Sequence, residues 1–294
     1  MIATTGFFDG VHLGHRLVIE RLVSLARERG DESLVVTFWP HPRAVLQDGA
    51  RELRLLNSLE EKKQLLRGLG VDRTEVLDFT RSFAALSAEQ YLREILRDRF
   101  EVTTLLMGYD NRLGSDRLTA GPLRSLATSI GVELIELEPF GMDENPQTHI
   151  SSTTIRKSLE QGDVTWAAEM LGYGYTLRGV VVAGNRLGRT IGFPTANMKL
   201  YEPLKLVPGR GVYVVEAEVL GKKYRGMTNI GLRPTVGGSF TTIETHILDF
   251  DEDIYGLPLR ITFLRRLRDE VYFPSLEALK DQLEKDRDCC REQK

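Results

Sequence analysis

The 294-residue sequence has only two cysteines, no long apolar run and no strong excess of charge of either sign. Cys289 and Cys290 are adjacent, so they cannot staple a fold and do not have the spacing of a zinc site. We expect them on a frayed terminal helix, without a role. No stretch reaches the roughly 20 apolar residues that a membrane span needs. The formal net charge of −3 gives no global attraction to nucleic acid or to an anionic membrane.

The lack of an apolar N-terminal run and of excess positive charge also bears on the location of the protein and on how it binds anions. Its first residues lack the basic end and apolar run of a signal peptide, so we expect a cytoplasmic protein without a nucleic-acid or membrane partner. An anionic ligand must then be held by local groups, namely helix N-termini, a few arginines or a metal. The sequence does not determine the oligomeric state, and a homo-oligomer is possible.

The first half of the chain alternates short β-branched runs with amphipathic segments. Strands separated by helices require crossover connections, so this order predicts a doubly wound, mostly parallel α/β sheet covered on both faces. Capping boxes mark two helix starts, Ser58 with Glu61 and Ser87 with Gln90. The predicted strands are 2–5, 33–38, 74–77, 103–107 and 133–137, and the predicted helices are 15–29, 59–69, 88–100 and 122–130.

The second half changes character near residue 175, where runs of Val, Ile, Thr and Tyr are punctuated by Gly and Pro. Closely spaced strands with turn signals predict a small antiparallel β-barrel closed by a C-terminal helix. The strands are expected at 175–182, 211–220, 222–230, 242–247 and 258–263, and the helix at 275–287. A helical stretch at 154–171 joins the halves, which divides the chain into domains 1–172 and 173–294.

The first candidate site is the segment GFFDGVHLGH, residues 6–15, between a strand and a helix. Glycines let the backbone approach a ligand, and the helix start offers free N–H groups to phosphate. His12 and His15 are three residues apart, so both can face one anion. Zinc would need a third ligand, and two surface histidines at a helix cap are the structural alternative. Phosphate chemistry is favoured, with Gly6, Phe8, Asp9, Gly10 and Gly14 as further binding residues.

A second cluster, residues 150–156 with the sequence ISSTTIR, places hydroxyl groups at the start of another predicted helix. Ser151, Ser152 and Thr153 alone would be read as a helix cap. With Arg156 on the first turns, the cluster predicts an anion clamp, because a guanidinium bridges phosphate oxygens in a bidentate manner.

Together these two segments resemble the nucleotidylyltransferase superfamily with its H-x-G-H and S-S-T-x-x-R signatures. With TFWPHP at 37–42 and Gly-Tyr-Asp at 108–110, the half resembles the FMN adenylyltransferase module of bacterial bifunctional FAD synthetases. The resemblance implies that His12 and His15 steady the ATP phosphates while pyrophosphate leaves. It also implies that Arg156, with Ser152 and Thr153, clamps those phosphates, and that Asp110 frames the flavin.

The barrel half opens with GNRLGRTIGFPTAN, residues 184–197. Its glycines permit a flexible loop over phosphates. Thr195 and Asn197 are two residues apart, so on an extended chain their oxygen atoms face the same way and could hold one Mg²⁺. The structural alternative is a glycine-rich hairpin loop with turn-forming Asn and Thr.

The string GRTIGFPTAN closely resembles the riboflavin kinase signature, and NIGLRPT at 229–235, IETH at 243–246 and FLRRLR at 263–268 agree with it. The resemblance implies that Glu244 is the general base for the riboflavin 5′-hydroxyl and that Thr195 and Asn197 hold Mg²⁺. Asn229 and Arg268 are then flavin-binding. No P-loop motif occurs in this half. The implied nucleotide-binding residues are Gly184, Gly188, Arg189 and Gly192.

The leading interpretation is therefore a two-step enzyme that uses ATP and Mg²⁺ to convert riboflavin to FMN and FMN to FAD. One alternative is a kinase alone, because Phe7, Trp39 and Leu113 depart from the adenylyltransferase pattern. A flavin-sensing protein without turnover is another. An adenylyltransferase for a different phosphate-bearing metabolite would leave the kinase signature unexplained.

Overall fold

The computed structural model describes residues 1–46, 53–108, 112–137, 150–184, 187–235 and 238–292. The chain folds into two compact units, residues 1–152 and 153–294. Within the described ranges, no helix combines the length and the apolarity required to cross a membrane.

The first unit is built on a five-stranded sheet in the order β3-β2-β1-β4-β5, and every pair of neighbouring strands is parallel. The chain therefore winds outward in both directions from β1, which confirms the predicted doubly wound α/β sheet. The strands are β1 (Ile2–Thr5), β2 (Ser33–Trp39), β3 (Arg73–Asp78), β4 (Thr104–Met107) and β5 (Glu133–Glu136).

Alternate side chains of these strands enter two separate cores, one on each face of the sheet. Ile2, Val35 and Leu106 pack on one face against the helix Leu13–Arg29 (α1). The neighbouring residues Ala3, Leu34 and Leu105 point to the opposite face. Strands buried on both faces read as continuous apolar runs, which is why β2 shows no alternation of polar residues.

The remaining helices of this unit are α2 (Pro42–Leu46), α3 (Leu59–Gly68), α4 (Arg81–Ala84), α5 (Ala88–Gln90) and α6 (Ala120–Ser129). Both predicted capping boxes are confirmed, at α3 and at α5. The expected helix 88–100 is different: after α5 the chain continues as a π-helix, Tyr91–Arg97. The short helices α2 and α4 were not expected.

The second unit contains a closed barrel of six antiparallel strands in the order β10-β7-β6-β11-β8-β9, as the sequence predicted. One of them, β7, lies in the segment expected to be a phosphate loop and was missed as a strand. The strands are β6 (Thr176–Val182), β7 (Ala196–Leu200), β8 (Gly211–Val219), β9 (Lys222–Thr235), β10 (Gly238–Ile247) and β11 (Pro258–Arg268).

Two helices precede the barrel where one helical stretch was expected. They are α7 (Ser152–Glu160) and α8 (Val164–Leu171), with Asp163 capping the second by accepting from the Trp166 backbone N–H. The backbone N–H of Gly209 donates to the carbonyl of Leu159, which fixes the end of α7 to the barrel unit. Packing therefore divides the chain after Ser152, the first residue of α7, rather than after α8. The predicted functional boundary at 172/173 stays a prediction.

The C-terminal helix α10 (Leu276–Arg291) packs on the outside of the barrel. Cys290 is fully buried there with Val212 and Met227, so the expectation of a frayed helix end without a role is wrong for this residue. The reason is the helical period, which turns Cys290 inward and leaves Cys289 exposed. Burial also raises the pKa of the Cys290 thiol to about 11.

A largely buried ion pair fixes α10 to the barrel. The guanidinium of Arg268 donates from Nε and Nη2 to the Asp286 carboxylate, at 3.0 and 2.7 Å, and Gln282 donates to the same carboxylate. Because Asp286 is nearly inaccessible to water, its charge depends on these partners.

We expect Asp286→Ala to lower the free energy of unfolding of the second unit by roughly 2–4 kcal/mol, since it leaves the Arg268 charge without its partner. Urea denaturation followed by circular dichroism measures this loss. Asp288→Ala is the matched control on the same helix, because Asp288 is exposed and pairs with Arg287 at the surface. Equal stability of the two variants would contradict the assignment.

Candidate functional site

The segment 6–15 leaves the carboxyl end of β1, the central strand, between β2 and β4. The connections on either side of β1 run in opposite directions, so this is the switch point at which doubly wound sheets bind ligands. The segment ends in α1, whose first backbone N–H groups point into the same crevice. The fold thus brings a strand end, a tight loop and a helix start to one place.

The loop itself has an unusual backbone. Phe8 and Val11 have positive φ angles of 51° and 39°, on either side of Gly10 at 85°. Side-chain-bearing residues in this region are strained and persist where surrounding contacts fix them. Those contacts come from the segment before α3: the Leu56 N–H donates to the Asp9 carboxylate, and Gly10 N–H donates to the Asn57 amide oxygen, both at 3.0 Å.

The two histidines stack on each other, with 3.6 Å between ring centroids and 20° between planes. His12 is the N-cap residue of α1, and His15 lies on its first turn. Burial, followed by the neighbouring His12 and then Lys62, holds the pKa of His15 well below its usual value. His15 is therefore neutral near pH 7, and its Nδ1 is buried without a hydrogen-bond partner among the described residues.

The hydroxyl cluster lies at the start of α7. Ser152 donates from its hydroxyl to the carbonyl of Asp9 at 2.9 Å, so the first unit does join Ser152 to the histidine loop. Ser151 precedes the helix and belongs to the same unit. Thr153 and Arg156 follow on α7, in the second unit.

A cavity of about 460 Å³ lies beside this loop and is lined by Gly6, Leu113 and a group of aromatic side chains. The ring of Phe38 lies 5.8 Å from that of Phe79 and 5.6 Å from that of Phe83. Tyr91 completes the group, and its hydroxyl hydrogen-bonds the Thr5 hydroxyl at 2.7 Å. Sequence reasoning missed this cluster, because Phe79, Phe83 and Tyr91 come from separate elements between β3 and the π-helix. Asp110 lies outside the described residues.

The two departures Phe7 and Trp39 lie together. Their rings stack with centroids 6.5 Å apart and planes at 16°, and His41 meets the Phe7 ring edge-on at 4.1 Å. The two residues that depart from the family pattern, Phe7 and Trp39, therefore pack against each other. The feature nearest to them that the sequence analysis overlooked is Lys62 of α3, whose ammonium lies 3.6 Å from the Phe7 ring centroid.

In the barrel unit, strand register gathers the candidate kinase residues. Glu244 of β10 lies directly opposite Asn197 of β7 on one side and Asn229 of β9 on the other. Directly paired residues point to the same face of a sheet, here the outer face of the barrel, because the intervening Ile243 and Thr245 are buried inside. These three residues, from distant parts of the sequence, therefore form one row.

Two cavities lie near this row and share Thr195 in their linings. One, of about 250 Å³, is lined by Asn229, Glu244 and Arg268 and by side chains of α10. The other, of about 450 Å³, is lined by Arg189 and Pro194. Thr195 lines both, so it lies where two ligands bound in the two cavities would meet.

The segment before β7 is more ordered than the expected flexible loop, since Leu187–Thr190 forms a helical turn, α9. Gly188 is packed tightly: a Cβ there would lie 2.1 Å from the Phe193 carbonyl oxygen. Gly184 lies against the Asn197 side chain, where a Cβ would come within 2.3 Å of Nδ2. Gly192 lies at the end of this turn and, like Arg189, is exposed.

His246 is the last residue of the IETH segment, 243–246, and the resemblance to riboflavin kinases implied no role for it. It follows Glu244 by two residues on the same face, and its Nδ1 lies 2.8 Å from the carbonyl oxygen of Pro194. Burial lowers its pKa despite this hydrogen bond, so His246 is neutral at pH 7 and donates from Nδ1. It thereby holds the backbone next to Thr195.

Arg268 lines the smaller cavity, but its guanidinium is occupied by Asp286 and by the Asp269 carbonyl. Among the described residues, no group of three or more histidine, cysteine or acidic side chains is arranged so that it could hold a metal ion. Thr195 and Asn197 offer hydroxyl and amide oxygens instead, which suit a hard cation that keeps most of its waters.

We expect Gly184→Ala to lower the rate of riboflavin phosphorylation about 10- to 100-fold, because the added methyl group displaces Asn197. FAD formation from supplied FMN should stay within about twofold, since the groups predicted for that step lie between residues 6 and 156. Both products are measured by chromatography after incubation with ATP and Mg²⁺. An unaltered phosphorylation rate would show that the position of Asn197 is unimportant.

Two family models match successive parts of the chain. Residues 1–154 match the family model for FAD synthetase, and residues 171–294 match the model for riboflavin kinase. A solved structure described as a macrolide-efflux protein from Streptococcus pneumoniae superposes with a TM-score of 0.92 at 33% identity, covering 100% of this chain and 94% of that one. Its efflux description applies to that protein alone.

Curated relatives match over nearly the whole length. A bifunctional riboflavin kinase/FMN adenylyltransferase of Listeria monocytogenes is 37% identical, covering 97% of this chain and 90% of that protein. The Escherichia coli K12 protein of the same description is 36% identical, covering 99% and 92%. The family predicted from the motifs is confirmed, and this chain belongs to the bifunctional riboflavin kinase/FMN adenylyltransferases.

Proposed function

We propose that this chain converts riboflavin to FAD in two ATP-dependent steps, each at its own site. The second unit transfers the γ-phosphoryl group of ATP to riboflavin, giving FMN and ADP. The first transfers the adenylyl group of a second ATP to FMN, giving FAD and pyrophosphate. The observation that carries the proposal is that each unit has its own candidate phosphate loop beside a separate cavity. The functional domains are proposed as 1–172 and 173–294.

The kinase step needs a base because a neutral ribityl hydroxyl must lose its proton. Glu244 is the candidate: it lines the smaller cavity and lies one strand away from Asn197. We assign riboflavin to this cavity and ATP to the larger one lined by Arg189. The hydroxyl oxygen then bonds to the γ-phosphorus as the bond to ADP breaks, and Glu244 accepts the proton.

Members of kinase and adenylyltransferase families use ATP with a divalent cation, and we propose Mg²⁺ here. Thr195 and Asn197 would hold it, since Thr195 lines both cavities and Asn197 is fixed between Gly184 and Glu244. Bound there, Mg²⁺ would neutralise charge on the transferring phosphates. Gly188 and Gly192 bring the backbone of the α9 turn close to the nucleotide.

The adenylyl step needs no strong base, because FMN already carries an anionic phosphate. An oxygen of that phosphate bonds to the α-phosphorus of ATP while the bond to pyrophosphate breaks. The stacked His12 and His15, with the N–H groups of α1, would stabilise the charge on the leaving pyrophosphate. Ser152, Thr153 and Arg156 are proposed to clamp the same phosphates.

The aromatic cavity of the first unit is proposed to hold the isoalloxazine ring of FMN. Phe38, Phe79 and Phe83 provide flat apolar surfaces, and ring stacking adds roughly 0.5–1.5 kcal/mol beyond area burial. These rings supply the aromatic contact that Leu113 does not provide. Adenylyl transfer is thus compatible with the departures Phe7, Trp39 and Leu113.

Glu244→Gln is expected to slow FMN production from riboflavin about 10²- to 10⁴-fold, because the amide cannot accept the proton. FAD production from supplied FMN should remain. His15→Ala should do the reverse, with a loss of about 10²–10³-fold in the adenylyl step and accumulation of FMN.

Each variant is given riboflavin or FMN separately, and both products are measured. Glu216→Gln is the matched control, since Glu216 is an exposed barrel carboxylate paired with Lys223. Loss of both activities in a folded Glu244→Gln protein would point to one shared site.

Thr195→Ala and Asn197→Ala are expected to lower riboflavin phosphorylation about 10²-fold and to raise the Mg²⁺ concentration needed for half-maximal rate. The reason is that each loses an oxygen ligand proposed for the cation: Thr195 lines both cavities, and Asn197 lies opposite Glu244. The rate is measured over a Mg²⁺ titration at saturating ATP. Normal phosphorylation at low Mg²⁺ in either variant would mean that the cation is held elsewhere.

A further inference from the structure

Lys62 is a fully buried lysine behind the histidine loop. It lies on α3, and its ammonium is 3.6 Å from the centroid of the Phe7 ring and 3.4 Å from the Thr37 hydroxyl, to which it donates. Thr37 in turn donates to the Phe7 carbonyl at 3.2 Å. The ammonium is therefore held at the base of the loop that carries Asp9, His12 and His15.

The described titratable groups near the Lys62 ammonium do not include a carboxylate that forms an ion pair with it. Asp9 and His15 face it across the loop, with His12 stacked on His15. On its own helix, Glu61 is committed to the Ser58 backbone N–H in the capping box. Lys62 forms no ion pair with any carboxylate among the described residues, and burial lowers its pKa to about 8 although Asp9 opposes this shift.

A buried ammonium without an ion pair is costly, and structural lysines normally avoid the arrangement by pairing or by reaching the surface. The next residue, Lys63, does so: it is half-exposed and pairs with Glu60 at 3.7 Å. The cation–π contact with Phe7 offsets only part of the cost. A bound polyanion at the adjacent loop would offset the remainder.

We propose that Lys62 is a positioning residue for adenylyl transfer, whose buried positive charge behind the histidine pair favours binding of the ATP phosphates at the loop 6–15. The inference rests on the proposed assignment of His12 and His15 to that step. Lys62 is too buried to touch the nucleotide, so it acts through the field across the loop, where low polarity weakens the screening. The same field adds to the effects of burial and of His12 in lowering the pKa of His15.

The pH dependence follows from the sign of this charge. Lys62 is charged below its pKa of about 8 and neutral above it. The kcat/KM for ATP in FAD formation should therefore fall as pH rises through about 8, since that ratio reports groups of the free enzyme. The kcat should fall at higher pH, because bound phosphates favour the charged ammonium.

The test compares the pH profiles of the full chain and of three variants, with FMN as substrate. Lys62→Arg keeps the charge and should maintain kcat/KM up to about pH 9. Lys62→Met removes it and should lower kcat/KM at pH 7 about 10- to 100-fold, with no fall near pH 8. Lys63→Met is the matched control and should follow the wild type. Circular dichroism and the thermal unfolding temperature of each variant report whether its first unit is folded.

A wild-type kcat/KM that is flat from about pH 7 to about pH 9 would overturn the inference, whichever variants fold. So would a Lys62→Arg profile that falls with the wild type, or a folded Lys62→Met protein with unchanged kcat/KM. These outcomes can be distinguished from failure of the proposed role of His12 and His15. If that role were wrong, His15→Ala would retain FAD formation.

Discussion

Backbone hydrogen-bond register determines where Glu244 lies and where the strand that leads into the His12–His15 loop ends. In the barrel, the antiparallel pairing of β10 with β7 and β9 sets Glu244 opposite Asn197 and Asn229. A slip of one residue would turn the carboxylate into the barrel core. In the first unit, the parallel register around β1 brings its carboxyl end beside those of β2 and β4. Loops, cavities and helix starts are arranged around these strand ends.

The net charge of the chain is −3, and the two units are proposed to bind polyanions by different means. In the first unit the proposed groups are a helix start and a stacked histidine pair at a strained loop, with the buried Lys62 ammonium behind that loop. The second relies on close backbone approach at a helical turn and on oxygen ligands for a cation. The difference fits the chemistry, since adenylyl transfer releases pyrophosphate, whereas phosphoryl transfer to a neutral hydroxyl needs a base.

Departures from a family pattern are better judged in three dimensions than one position at a time. Phe7 and Trp39 look unfavourable separately, yet their rings stack, and Phe7 also contacts the Lys62 ammonium. Likewise, Leu113 lacks a ring but lines a cavity that contains several. Cys290 resembles a dispensable terminal residue and is instead buried between α10 and the barrel.

The sequence by itself determined the family, the two-unit order and the fold class, because the motifs are long and the strands alternate clearly with helices or with turns. It also located the capping boxes, which depend on residues three apart. Only the tertiary structure revealed the aromatic cavity, the row through Glu244 and the burial of Lys62. Each of these joins residues from separate elements, and local periodicity carries no information about which distant strands and helices will meet.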